Sequence, residues 1–273
     1  MISPKKEDNM KRFLATLLCV TLLPAVPAYA EEDPAAAAEA LLQDVKGTYD
    51  ELFDVITAPE YDQLWLDNCI DVLGEEMAPD AAEMLKTVCN GDLYGQEAID
   101  AYGDGSDGMQ FDCGFINGVS QIVFDGNTIS GLDENGEELF SHEYSFSREA
   151  SLMEGMMDGY LYETADEDAG EFKYFFLLPD TPETTYHIEF RYGSNADDLE
   201  LYNEGPYAYW LAAGILADRD EQMITDVINL FCSENLSEME EEADAEAAET
   251  VDADGEAAGE EEAADEAATD DAA

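Results

Sequence analysis

Positive charge is what this sequence has least of. Ten lysines and arginines stand against 67 aspartates and glutamates in 273 residues, a net charge of −57 with histidine neutral. Nucleic acids and anionic membrane surfaces are recognised through basic patches, so neither is expected as a partner. Cationic ligands, divalent metal ions included, are left open. Histidine is scarcer still, with only His142 and His187, so a site made of imidazoles alone has little to draw on. The chain has no G-x-S-x-G, no H-E-x-x-H and no phosphate-binding P-loop, and a binding protein is expected rather than an enzyme. Paired carboxylates occur by chance in so acidic a chain and lend no support to glycosidase chemistry. No C-x-x-C pair is present, which disfavours a zinc–thiolate site. Beyond the first thirty residues no apolar run is long enough to insert in a membrane.

The two ends of the sequence carry their own signals. Met10-Lys11-Arg12 is basic, residues 13–26 are almost wholly apolar, and Ala28-Tyr29-Ala30 has the small residues of a cleavage site. That order is a secretory signal over 1–30, with the mature chain periplasmic or secreted after cleavage following Ala30. Residues 31–39 read as a mobile leader. From 237 to 273 the chain is nearly all Glu, Asp and Ala, and like charges with so little apolar surface predict a disordered acidic tail. Four cysteines follow the signal: Cys69, Cys89, Cys113 and Cys232. An even count in an exported chain reads as two disulfides. A short predicted turn between neighbouring helices favours Cys69–Cys89, which leaves Cys113–Cys232.

Between the ends, 40–236 reads as one domain. Leu41, Leu42, Val45, Tyr49, Leu52, Phe53 and Ile56 recur at helical spacing over 40–57. Two more helices are predicted over 60–73 and 79–89, with Pro79 in a first turn, where its missing N–H costs nothing. The pattern then changes to short strands at 119–124, 127–132 and 138–146. Asp125-Gly126 and Asn135-Gly136 separate them, residues that accept the positive φ of tight hairpins. Further strands are predicted at 159–163, 172–178 and 185–192, then helices at 196–202, 206–213 and 218–231, the last with Asp218 as its N-cap. The fold class is therefore α+β, an antiparallel meander, open or closed into a barrel, with N- and C-terminal helices.

Several strings resemble the ZinT family of periplasmic zinc-binding proteins. Val45-Lys46-Gly47-Thr48-Tyr49 with Leu52 and Phe53 is similar to its W-x-G-x-W/Y opening, and 119–146 to its first three barrel strands. Tyr186-His187-Ile188-Glu189-Phe190 resembles its H-F-H-I-F strand. Gly193-Ser194-Asn195 leading to Leu199 resembles the turn that follows, and Gly205-Pro206-Tyr207-Ala208-Tyr209-Trp210 its W-P-T-Y-Y-P string. The resemblance implies a calycin, lipocalin-like barrel, a zinc ion as ligand, and a metal-uptake transporter component as a partner. The family holds zinc with three histidines, two of them in an H-x-H pair. Here Thr185 stands at the first position of that pair, only His187 remains, and Asp180 is the nearest donor in the preceding loop.

Read from the residues, Thr185, His187, Glu189 and Arg191 share one face of the strand, and Tyr186, Ile188, Phe190 and Tyr192 the other. The site reading is a reduced set, His187 and Glu189 with Asp180, holding zinc or another divalent ion. The rival is a polar cluster without metal, with Arg191 filling the ion's place, in a metal-free calycin-type module that binds a small molecule or protein at the barrel mouth. His142 is expected to pack beside Phe140 and Tyr144, and Met153, Met156 and Met157 to be loop and core residues.

Overall fold

The computed structural model describes residues 33–103 and 110–236; the signal, Glu31, Glu32 and the acidic tail lie outside them. The rest of the expected mobile leader is instead the start of a helix over Pro34–Asp44, capped by Asp33, which accepts from Ala35 N at 3.2 Å, and anchored by the buried Ala38. Helices α1 (Pro34–Asp44), α2 (Leu52–Ile56), α3 (Asp62–Leu73), α4 (Ala78–Val88) and α5 (Gln96–Tyr102) gather near the start, with strand β1 (Gly47–Glu51) inserted among them. The strands β2 (Gln121–Asp125), β3 (Thr128–Leu132), β4 (Glu138–Leu152), β5 (Met157–Thr164), β6 (Tyr174–Leu177), β7 (Ile188–Gly193) and β8 (Ala212–Leu216) follow. A last helix, α6, spans 221–236. Each strand runs antiparallel to the next. β8 pairs back on β1 through Tyr49↔Leu216 and Glu51↔Gly214, closing an eight-stranded barrel.

The turns form as their chemistry requires. Gly126 and Gly136 sit at φ 64° and 76°, where a Cβ would clash with the backbone. Four further expectations need correction. The stretch 40–57 is not one helix, because α1 ends at Asp44 with Val45 as its C-cap and Tyr49 lies in β1. Its OH donates to the Val45 carbonyl at 2.7 Å. The stretch 206–213 is not a helix either: Ala212 and Ala213 begin β8, where small side chains suit a crowded wall, and Gly214 has Tyr49 and Ile188 against the place a Cβ would take, at 3.2 and 3.3 Å. The expected helix 196–202 shrinks to one 3₁₀ turn at Asp198–Glu200. α6 begins later than expected, and its cap is Asp220, which accepts from Met223 N at 2.9 Å, rather than Asp218.

The lumen is filled by aromatic rings. Phe124 of β2 touches Phe175 of β6 (6.5 Å) and Phe190 of β7 (6.0 Å), and neither strand neighbours β2 in the sheet. These rings can meet only across the barrel. Phe140 and Tyr144 of β4 join Phe175 from another side. An eight-stranded barrel is just wide enough to be packed solid in this way. At one end Tyr162 donates to the Ala38 carbonyl of α1 at 2.8 Å. Tyr192 is tied at 2.7 Å to both the N–H and the carbonyl of Ile116. The barrel interior is therefore packed as a core.

Candidate functional site

Because Ile188, Phe190 and Tyr192 face the lumen, strand alternation turns Glu189 and Arg191 to the outside. His187 joins them by a different route. The ladder begins at Ile188, and Tyr186 stands at φ 66°, a left-handed conformation costly for a tyrosine, so Thr185 lies off the strand. This tight bend lets the His187 Nδ1 meet the Thr185 carbonyl at 2.6 Å. The Thr185 hydroxyl donates to the carbonyls of Thr181 and His187, both at 3.1 Å. A carbonyl on Nδ1 requires the proton there and leaves Nε2 with its lone pair free, the orientation in which outer partners hold metal-binding imidazoles. Nε2 faces Glu189 Oε1 at 3.9 Å, too far for a hydrogen bond.

His187 and Glu189, 3% and 4% exposed, form the polar end of a small cavity, partly open to solvent, between the outer wall and the helices. Its other walls are mostly apolar: Leu52, Phe53 and Ile56 of α2, Met153 and Met157 from the β4–β5 hairpin, and one stripe of α6. That stripe, Val227, Leu230, Phe231, Glu234 and Asn235, recurs at helical spacing and brings two further oxygen donors to the same space. Cys89 and Cys113 also line it. Asp180, 1% exposed, stands back from the lining. Among the described residues, the buried oxygens without a hydrogen-bond partner include Asp180 Oδ1, Glu189 Oε2 and Asn235 Oδ1. Buried acceptors left so are costly unless a proton or a cation satisfies them.

The electrostatics point the same way. Burial, with the Glu234 charge behind it, pushes the Asp180 carboxyl up to about 7. Burial alone takes Glu234 to about 7. Glu189 rises well above the carboxylate range through burial and the neighbouring Asp180, Cys113 and Glu234. His187 is pushed down to about 4 by burial, against the opposing pull of the Thr185 carbonyl. At neutral pH the pocket thus holds a neutral imidazole among acids that resist ionising together. A divalent cation would reverse that preference by supplying the missing positive charge.

Arg191 does not fill the ion's place. Its guanidinium donates to the carbonyls of Leu199 (2.7 Å), Leu201 (3.0 Å) and Tyr207, and lies 5.8 to 6.0 Å from the rings of Tyr202, Tyr207 and Trp210. It organises the 199–210 segment. His142 lies on the lumen side of β4, in ring contact with Phe140 and Tyr144 and 3.1 Å from Asp166 Oδ2. The two histidines are therefore on opposite faces of the wall and cannot share an ion.

The donor chemistry suits a divalent cation, but coordination is not preformed. Among the described residues no group of three or more His, Cys, Asp or Glu stands in metal-holding geometry. Two donors on one tetrahedral zinc lie about 3.4 Å apart, so His187 and Glu189 at 3.9 Å need to close by roughly half an ångström. Sequence reasoning brought His187, Glu189 and Asp180 to one region but missed Glu234 and Asn235. Their signal was the continuation of the apolar α6 stripe into polar residues.

The same groups set a pH dependence for the metal-free fold. Asp180, Glu189 and Glu234 bind protons more tightly folded than unfolded, so the stability they lend is present at low pH and lost as pH rises through about 7 and beyond. His187, depressed in the fold, works in the opposite sense between about 4 and its unfolded value near 6.5 and is spent above that. Urea denaturation is thus expected to show stability falling by about 2 kcal/mol between about pH 6.5 and 8 without metal, and a flat profile would contradict these burials.

No known family profile matches the chain, and no curated protein matches it. Among solved structures it is similar to the zinc-bound ZinT-like domain of Streptococcus pneumoniae AdcA, at 15% identity and a TM-score of 0.44, over 69% of this chain and 89% of that one. It is also similar to zinc-bound AdcA from the same organism, at 16% identity and a TM-score of 0.43, over 74% of this chain and 40% of that one.

Proposed function

We propose that this is an exported binder of divalent cations, zinc foremost, holding one ion between His187 Nε2 and Glu189 on the outer wall of the barrel. The observation that carries the reading is the imidazole itself. Its Nδ1 is fixed by the Thr185 carbonyl at 2.6 Å, and its free Nε2 looks across 3.9 Å at a buried carboxylate whose other oxygen has no partner. Asp180, Glu234 and Asn235 add charge and oxygen donors around that pair. One imidazole among oxygens suits zinc, with weaker discrimination against manganese or calcium than three imidazoles would give. So few fixed donors favour capture and release over permanent retention, and a metal-uptake component is the partner such a buffer would serve. Export rests on the basic, apolar and A-x-A order of the first thirty residues.

The apolar walls of the cavity favour a second reading, a metal-free module for a small molecule bearing a polar group at the His187 end. Calorimetric titration separates the two. With Zn²⁺ added to the full chain in excess Mg²⁺, which occupies the acidic tail, a one-to-one component is expected that His187→Ala abolishes. Equal binding by the variant would overturn the ion site and leave the small-molecule reading.

A further inference from the structure

The four cysteines of the domain are all buried, and they come together in two pairs that sequence spacing did not suggest. α3 packs against α6 with Trp65 on Phe231 (5.7 Å) and the Asn68 amide donating to Asn229 Oδ1 at 2.9 Å. Cys69 follows one residue after Asn68 and one turn after Trp65. Cys232 follows Phe231 and lies one turn after Asn229. The two thiols meet at this seam and hydrogen-bond to each other. The second pair arises from a short antiparallel bridge, Asn90↔Asp112, in which Gly91 N donates to Phe111 O at 2.9 Å. One step along that register sets Cys89 opposite Cys113, and these thiols also hydrogen-bond. The expected pairing Cys69–Cys89 and Cys113–Cys232 is therefore corrected. It assumed that nearness in sequence decides, whereas helix packing and a strand-like bridge do.

We propose that the oxidised protein carries disulfides Cys69–Cys232 and Cys89–Cys113, and that together they staple a lid over the outer-wall cavity. The first bridge fastens α6, the element that presents Phe231, Glu234 and Asn235 to the cavity. The second fastens the segment entering β2 to the end of α4, with both sulfurs on the cavity wall. The chemistry is thiol–disulfide exchange with a low-molecular-weight disulfide before α6 docks. The Cys69 thiolate attacks one sulfur of the oxidant, and the other leaves as a thiol. Cys232 loses its proton and attacks the Cys69 sulfur, expelling the second thiol. Each bridge thus removes two hydrogens from the protein and reduces one disulfide of the oxidant. The inference is independent of which ligand the cavity takes.

The test is peptide mapping of the full chain after refolding with oxidised glutathione, alkylation of remaining thiols and digestion without reductant. Cross-linked peptides joining Cys69 to Cys232 and Cys89 to Cys113 are expected, and any other pairing, or alkylation of all four, overturns the assignment. For the lid, hydrogen exchange of the 221–236 amides should quicken at least tenfold on reduction with a phosphine. Unchanged exchange overturns the stapling. The double variant Cys89→Ser/Cys113→Ser, which keeps the first bridge, should retain slow exchange in 221–236, and fast exchange there would show that Cys69–Cys232 does not hold α6. None of these readouts involves metal, so their failure is distinct from failure of the ion site.

Discussion

Glu189→Gln should lower the affinity for Zn²⁺ about a thousandfold, or about 4 kcal/mol, while leaving the metal-free fold as stable as before or more stable above about pH 7. The two effects have one cause. Without metal, burial and the nearby Asp180, Cys113 and Glu234 keep the Glu189 carboxyl in its neutral form. A neutral carboxamide has nearly the same shape and keeps an acceptor oxygen, so replacing one by the other costs the fold little. With metal, the ion takes the proton's place and the carboxylate supplies a full negative charge in a site of low dielectric, which the amide cannot. The variant should also flatten the fall in stability with rising pH. Calorimetry and urea denaturation on the same preparations check both halves. Unchanged zinc affinity would remove Glu189 from the ligand set, and a fold weakened by several kcal/mol would mean that the residue is ionised and paired.

Arg191→Met should destabilise the protein by about 4 kcal/mol, because removing one side of a buried charged network leaves the other side unpaired. The guanidinium is fully buried, and burial lowers it only to about 10, so it stays charged at neutral pH. It satisfies the carbonyls of Leu199, Leu201 and Tyr207. Arg191→Lys should recover part of the loss, since one ammonium cannot span three carbonyls in a planar fork. Denaturant midpoints measure both. A loss under about 1 kcal/mol for methionine would show that the 199–210 segment holds itself in place. Zinc affinity, corrected for the folded fraction, should be little changed, because the guanidinium points away from the ion's position.

These two residues show how far a strand pattern reads on its own. Period-two alternation placed Glu189 and Arg191 on the face opposite Phe190 and Tyr192, whereas His187 reaches that face through the bend at Tyr186, and alternation could not say which face was the lumen. That depends on which rings fill a closed barrel. Closure depended on β1 and β8, both hidden from pattern reading. Tyr49, Leu52 and Phe53 fall by coincidence at helical spacing across a strand–helix junction, and Ala212-Ala213-Gly214 carries no strand-forming side chain until Ile215. The first three of the six middle strands were legible because Asp125-Gly126 and Asn135-Gly136 punctuate them. Glu234 and Asn235, some fifty residues beyond His187, could not be assigned to the site without the packing of α6, and the cysteine partners depended on that same packing.

Because the chain has just two histidines, His142 and His187, one spectrum tests the central claim. In nitrogen-15 imidazole spectra of the full chain with excess Mg²⁺, one equivalent of Zn²⁺ should move the Nε2 resonance of His187 from free lone pair to metal-bound. Its Nδ1 should stay protonated against the Thr185 carbonyl, and His142 should not move. Zinc that binds while the His187 nitrogens stay where they were would contradict the account.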